Sequence, residues 1–115
     1  MTELTDLAAS IRRFTEERDW GRFHDPKSLL IAMVGEVGEV AELLQWLPAE
    51  DVAGLARTEP LKSTLADELS DVLIYLLQLA QSCGVDLSVA APAKLAAAER
   101  KYPVAEFRGR APERS

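Results

Sequence analysis

The chain has 115 residues, of which 48% are hydrophobic, and a formal net charge of −6 at pH 7. This length allows one hydrophobic core, and the negative charge gives no electrostatic reason to bind a phosphate backbone, so we expect one domain that binds no nucleic-acid polymer. The longest apolar stretch, residues 72–77, is far too short to span a bilayer, and no basic segment followed by an apolar run opens the chain. We therefore expect a soluble, cytoplasmic protein without membrane contacts. The single Cys83 excludes an internal disulfide and is expected to be inert.

Helical spacing dominates the sequence and strand-like alternation is absent, which predicts an all-α fold. Asp25 before Pro26 is typical of an N-cap, Gly84 is a helix stop, and Asp86 can cap the helix that follows it. Four helices are predicted, over residues 5–18, 26–46, 60–81 and 86–101. The second helix has a main apolar stripe made of Leu30, Met33, Val34, Val37, Ala41 and Leu44.

Residues 47–59, with Pro48 and Gly54, are predicted to be the one long connection, between the second and third helices. The third helix is apolar nearly all round between Val72 and Leu77, which is more than one neighbour in a small bundle can cover. We therefore expect a subunit contact there and at least a dimer.

Two acidic pairs, Glu36 with Glu39 and Glu68 with Asp71, have the i, i+3 spacing of one helix face and lie among apolar residues. Carboxylates about 5 Å apart at an effective dielectric constant near 20 repel each other by roughly 3 kcal/mol per pair, so the set needs protons or cations. A metal site is the simplest interpretation. Oxygen ligands suit Mg²⁺, with Mn²⁺ as a substitute, and Mg²⁺ often takes substrate phosphates as further ligands.

Iron oxidation chemistry is disfavoured, because a di-iron bundle needs Glu-x-x-His motifs and the only histidine, His24, lies outside both acidic motifs. Gly35 and Gly38 each cost the second helix about 1 kcal/mol relative to alanine. They allow either the close approach of a helix or ligand to the metal site or close helix packing without a ligand, and both interpretations stay open.

The segments GEVGEVAELLQW and ELSDVLIYL resemble the ExxE and ExxD motifs of the MazG-like all-α nucleotide pyrophosphohydrolases, and most closely those of the dCTP pyrophosphatase branch. The resemblance extends from RDWGRFHDPKSLL to the KYP segment. It implies a MazG-like four-helix bundle over residues 1–103, assembled as a dimer or tetramer. The resemblance leaves out residues 104–115, which are predicted from their own composition to form a basic, flexible tail. It also implies Mg²⁺-dependent hydrolysis of a nucleoside triphosphate, dCTP or a related pyrimidine dNTP, to the monophosphate and pyrophosphate, as house-cleaning of the nucleotide pool.

The same resemblance implies roles for individual residues. Glu36, Glu39, Glu68 and Asp71 match the metal ligands, and Lys94 matches a lysine that faces the phosphates. Either Glu36 or Glu39 is the candidate catalytic base, and the sequence does not decide between them.

Aromatic residues are the candidates for holding the nucleobase. Trp20, Trp46 and Tyr75 match aromatic positions of the branch, and stacking on such rings contributes roughly 1–3 kcal/mol per base. His24 could donate a hydrogen bond to a base or phosphate. The alternative is that the aromatic rings fill the core or subunit contacts and that His24 has a surface or capping role.

Two positions depart from the branch: Ile11 stands where its members have a histidine, and Ala98 where they have an asparagine. Because base discrimination depends on paired polar groups, we expect relaxed or altered base selectivity with hydrolysis retained.

Two other functions stay open: a non-catalytic helical module that binds structural metal and docks through the third helix, and hydrolysis of another phosphorylated substrate such as phosphoribosyl-ATP. The tail arginines, Arg108, Arg110 and Arg114, could fold over a triphosphate or form a solvated terminus.

Overall fold

The computed structural model describes residues 2–112, and within them the chain is helical, with no β-strand. The all-α class is therefore confirmed. The elements are α1 Glu3–Glu17, a 3-10 turn Gly21–Phe23, α2 Pro26–Leu44, α3 Ala49–Ala56, α4 Leu61–Ser82, α5 Leu87–Lys101 and α6 Val104–Phe107.

The ends of the four long helices follow from local chemistry and lie within two residues of the prediction. The Asp25 carboxylate accepts a hydrogen bond from the backbone N–H of Ser28 at 3.2 Å and so caps α2. Asp86 caps α5 in the same way, accepting from the N–H of Ser88 at 3.0 Å. Gly84 ends α4 with a φ of +68°, a conformation that glycine adopts without steric cost.

Four helices are predicted, but residues 2–112 contain six: residues 47–59 are not a plain connection and contain α3, and α6 follows the four long helices. Glu50 and Asp51 lie in the first turn of α3, where acidic side chains interact favourably with the helix dipole. The helix packs against α4, with Val52 and Ala56 half-buried. Gly54 does not interrupt it, since packing against α4 outweighs the low helix propensity of one glycine.

The core lies where α1 and α2 pack against α4, and the contact between α2 and α4 is the most extensive. Its buried apolar side chains are Ile11, Leu29, Leu65, Leu77 and Ala80. The helix α4 is therefore the central element, and α2 runs along the side of it that carries the second acidic motif.

The predicted main stripe of α2 is only partly buried. Met33 and Leu44 are half-buried, but Leu30, Val34, Val37 and Ala41 are exposed and form what we call the exposed α2 face. The helix is apolar on two sides, and the side that meets α4 is rotated by about 100° from the predicted centre of the stripe. The sequence pattern marks both apolar sides and does not show which one the protomer buries.

The protomer is extended for its size. Its accessible surface is 9009 Å², whereas a compact monomer of its mass exposes about 6,200 Å². Its radius of gyration is 17.4 Å, against about 13 Å for a compact domain of this length. The helix α5 contributes to this shape, because it turns by 101° from α4 and packs only sparsely on the other helices.

The C-terminal segment continues as helix beyond the predicted domain end. In α6, Phe107 packs edge to face on Tyr102, with ring centroids 5.1 Å apart. Arg108 and Arg110 are exposed, and Arg114 lies outside the described residues. The division into a domain and a flexible tail stays a prediction.

Within the described range, no single helix is long and apolar enough to cross a membrane, and α4 with α5 meets the requirements of length and composition only as a bent pair. The cytoplasmic location stays a prediction.

Candidate metal centre

Packing of α2 against α4 brings three carboxylates together. Glu36 and Glu39 come from α2 and Glu68 comes from α4, and one oxygen of each lies within 4.8 Å of the others. The i, i+3 spacing on α2 aims both glutamates at the same turn of α4. The structure thus unites three of the four predicted ligands. Asp71, one turn further along α4, is exposed and lies close enough for its charge to act on Glu36.

Two oxygens of this cluster are buried without a partner. Glu36 Oε2 and Glu68 Oε2 are inaccessible to solvent, and neither accepts a hydrogen bond from any group in residues 2–112. The ion pairs in the described part of the chain join Arg18 to Glu17 and Arg22 to Asp19, away from the cluster. Buried carboxylate oxygens without donors are costly. Oxygen ligands that converge without a basic partner fit a hard divalent cation.

The pKa values of Glu36 and Glu68 also reflect the cost of burying negative charge without a partner. Burial raises the pKa of Glu36 above its ordinary value, and Glu39 and the charge of Asp71 raise it further. The pKa of Glu68 rises to about 7, first because its protonated form can donate a hydrogen bond to Glu39 and then through burial. Without a cation, the site therefore takes up protons that isolated glutamates release.

We expect the metal-free protein to lose stability as the pH rises from about 4.5 to about 7. In this range folded Glu68 keeps a proton that the unfolded chain releases, so the free energy of unfolding falls with increasing pH. Thermal unfolding in EDTA between pH 4.5 and 8 measures this dependence. Glu68→Gln should have a flatter pH profile, and Mg²⁺ at pH 8 should raise the Tm of the parent protein. Identical pH profiles for parent and variant would contradict the assignment.

The predicted aromatic residues have different surroundings. Tyr75 is half-buried on α4, one turn beyond Asp71. Trp20 follows α1 and is held edge to face by Phe14, with ring centroids 5.6 Å apart. Trp46, in the turn after α2, is 86% exposed. Trp46 therefore does not fill the core of the protomer.

Lys94 and His24 are not joined to the carboxylates in the described protomer. Lys94 is exposed on α5, and no ion pair links it to the acidic cluster within residues 2–112. His24 is half-buried directly after the 3-10 turn, where its backbone N–H donates to the carbonyl of Gly21.

The two glycines of the first acidic motif face open space in the protomer. A Cβ built at Gly35 or Gly38 meets no atom of another part of the described chain within 4 Å. Close packing inside the protomer therefore does not explain these glycines.

Gln78 was not among the residues singled out from the sequence. It is the one buried polar residue of the described chain, with 8% of its surface exposed. Two signals point to it: it directly follows the apolar run of residues 72–77 in α4, and it lies seven residues, or nearly two turns, after Asp71.

Known proteins are similar to this chain in sequence and in fold. A model of the MazG-like family matches residues 31–113. The protein dCTP pyrophosphatase 1 of Bos taurus is 47% identical over 108 residues, which cover 94% of this chain and 64% of the relative. The Homo sapiens protein of the same name is 45% identical over 100 residues, covering 87% of this chain and 59% of the relative. The chain thus spans less than two thirds of these relatives.

A solved structure of a pyrophosphatase from Archaeoglobus fulgidus superimposes with a TM-score of 0.78 at 31% identity, covering 90% of this chain and 94% of that one. The acidic motifs, the helical fold and these similarities agree. The chain belongs to the MazG-like family.

Proposed function

We propose that the protein is a nucleoside triphosphate pyrophosphohydrolase that depends on a divalent cation and converts dCTP or a related pyrimidine dNTP to the monophosphate and pyrophosphate. The observation that carries this proposal is the cluster of Glu36, Glu39 and Glu68, with its two buried, unpartnered oxygens. The names of the relatives support the reaction type and the substrate class.

Mg²⁺ is the proposed cation, with Mn²⁺ as a substitute, because all candidate ligands are carboxylate oxygens. Glu36, Glu39 and Glu68 would hold it, with Asp71 beside them. When bound, the cation neutralises charge on the phosphates and the buried charge of the cluster.

In the proposed reaction a water oxygen forms a bond to the α-phosphorus, and the bond from that phosphorus to the bridging oxygen breaks. Pyrophosphate leaves with the electron pair of the broken bond. A glutamate of α2 accepts the proton of the attacking water. Glu39 is favoured over Glu36, because its side chain is exposed and open to substrate whereas Glu36 is half-buried.

We propose that a second copy of the chain covers the exposed α2 face, giving at least a dimer. Leu69, Leu73, Ile74 and Leu76 of α4 also have exposed surface in the protomer. The excess over a compact monomer is roughly 2,800 Å² per protomer, or about 5,600 Å² for two, which lies at the upper end of the total surface that obligate assemblies bury. Gly35 and Gly38 leave room for a partner helix or the substrate beside the acids, and assembly can bring the exposed Lys94 to the phosphates.

The direct test is pyrophosphate release from a substrate panel with Mg²⁺. The panel contains the common dNTPs and NTPs, methylated and halogenated dCTP, and phosphoribosyl-ATP. We expect hydrolysis of pyrimidine dNTPs, complete loss of activity in EDTA and recovery with Mg²⁺ or Mn²⁺.

The same panel separates the alternatives. If only phosphoribosyl-ATP is hydrolysed, the enzyme class holds and the substrate class is wrong. If no compound is hydrolysed but calorimetry shows Mg²⁺ binding, the protein is a non-catalytic metal-binding module.

A further inference from the structure

Two hydrogen bonds join α1 to the other helices within residues 2–112. The Gln78 amide donates to Thr15 Oγ1 at 3.5 Å, and the Gln81 amide donates to the carbonyl oxygen of Ala8 at 2.7 Å. Both donors lie on α4, one turn apart. Neither ion pair of the described chain connects α1 to another helix. The polar contacts that attach α1 therefore come from two glutamines of α4.

Apolar packing holds α1 only loosely. Ile11 is the one buried side chain of this helix. Cavities of about 320 Å³ and 260 Å³ lie between α1 and α4, one along the first half of α1 and one along its second half. Protein interiors normally contain few voids of this size, and apolar contacts have no preferred direction. A helix packed in this way can turn or slide unless directional bonds fix its position, and the two glutamines supply those bonds.

The contact between Gln78 and Thr15 is the one polar contact of a buried amide. Gln78 is 8% exposed, and its Oε1 accepts no hydrogen bond from residues 2–112. A hydroxyl both donates and accepts hydrogen bonds, so Thr15 Oγ1 can bond to either end of the amide. Although the contact is long, losing it would leave both ends of a buried amide without a partner, which is costly.

Thr15 in turn holds Trp20. Its carbonyl oxygen accepts a hydrogen bond from the backbone N–H of Trp20 at 3.1 Å. The Trp20 ring lies edge to face on Phe14, and the Arg18 guanidinium stacks over the same Phe14 ring, 3.8 Å from its centroid. Trp20 is thus fixed to the last turn of α1, and its position relative to α4 depends on the contact at Thr15.

We propose that Gln78 is a positioning residue, which fixes the C-terminal end of α1 through Thr15 and so sets the place of the Trp20 ring relative to the acidic cluster. Gln78 follows Glu68 on the same helix by ten residues, or about 15 Å, so α4 is the rigid link between the ring and the metal ligands. This role rests on the proposed function, in which Trp20 is a candidate for holding the base. It gives Gln78 no contact with substrate.

Fluorescence follows Trp20 without any substrate. In a Trp46→Phe background Trp20 is the only tryptophan, so acrylamide quenching reports its accessibility. We expect quenching to rise about twofold in Gln78→Leu and in Thr15→Val, because only 43% of Trp20 is exposed while its end of α1 is held. Thr15→Ser keeps the hydroxyl and should keep the parental quenching. If Gln78→Leu does not fold, Thr15→Val carries the test.

Gln81→Leu is the matched control. It removes the other hydrogen bond between α4 and α1, at the end of α1 far from Trp20, and should leave the quenching unchanged. An equal increase in Gln81→Leu and Gln78→Leu would show a general loosening of α1 and overturn the specific role of Gln78. Gln78→Leu combined with Thr15→Val should be quenched no more than either single variant, because both remove one contact. Additive increases would contradict that contact.

Steady-state kinetics with dCTP and Mg²⁺ separates positioning from catalysis. The carboxylates stay in place, so KM should rise about 5-fold or more in Gln78→Leu and Thr15→Val, while kcat stays within about twofold. A lower kcat with the parental KM would overturn positioning through Trp20.

The two measurements fail in different ways. A parent protein that hydrolyses no triphosphate would refute the proposed function, and quenching then decides alone whether Gln78 holds Trp20. Parental quenching in a folded Gln78→Leu or Thr15→Val variant would refute the positioning role even in an active enzyme.

Discussion

Glu39→Gln is expected to lower kcat/KM for dCTP by 100-fold or more without unfolding the protein. Glutamine keeps the size of the side chain but removes the charge that binds the cation and the basic oxygen that accepts a proton, and general bases alone contribute about 10²- to 10⁴-fold. The loss should be accompanied by a higher Tm in EDTA, because one of three mutually repelling carboxylates is gone. Pyrophosphate release and thermal unfolding measure the two effects.

Glu42→Gln is the control for this variant, since Glu42 is an exposed glutamate on the same helix outside the cluster. It should retain parental activity and parental Tm. Activity of Glu39→Gln within a few-fold of the parent would contradict the proposed site. A lower Tm in EDTA would show instead that Glu39 stabilises the fold.

Leu30→Lys is expected to break the assembly and remove most of the activity. A charge in the exposed α2 face would have to be buried unpaired in the proposed subunit contact, which is strongly unfavourable. Light scattering after size exclusion should give a mass near 12.6 kDa for the variant and two or four times that value for the parent.

Leu55→Lys is its matched control. Leu55 on α3 is 44% exposed, close to the 46% of Leu30, and lies outside the exposed α2 face. It should keep both the parental mass and the parental activity. A parent protein that is monomeric at assay concentration, or an assembled Leu30→Lys variant, would refute a subunit contact on this face.

The long helices could be predicted from the sequence because their ends depend on nearby residues. Asp25, Gly84 and Asp86 act through their own backbone surroundings, so the sequence contains the whole cause. The helix α3 could not be predicted in this way. A helix of eight residues is too short to be stable alone. It is stabilised by packing on α4, and a local sequence pattern does not reveal a contact with another helix.

The acidic cluster was predictable for a related reason. Helical spacing places Glu36 beside Glu39 and Glu68 beside Asp71. The apolar neighbours predict that both pairs face the interior, and this is wrong for one acid of each pair, because Glu39 and Asp71 are exposed. The relative rotation and shift of α2 and α4 are not encoded in either pattern. They determine that Glu68, rather than Asp71, completes the group of three converging oxygens. The same rotation exposes Leu30.

The buried, unpartnered oxygens of Glu36 and Glu68 lie in the contact that contributes most to the fold. The helices that stabilise the fold most are thus also the ones that hold the acids of the proposed site. Thermal stability would gain from removing this buried charge, whereas the proposed activity requires it. Directed evolution of this chain for thermostability alone, with metal chelated, would tend to replace one of these glutamates by a neutral residue. Selection that retains the acids has to find its stabilising changes elsewhere.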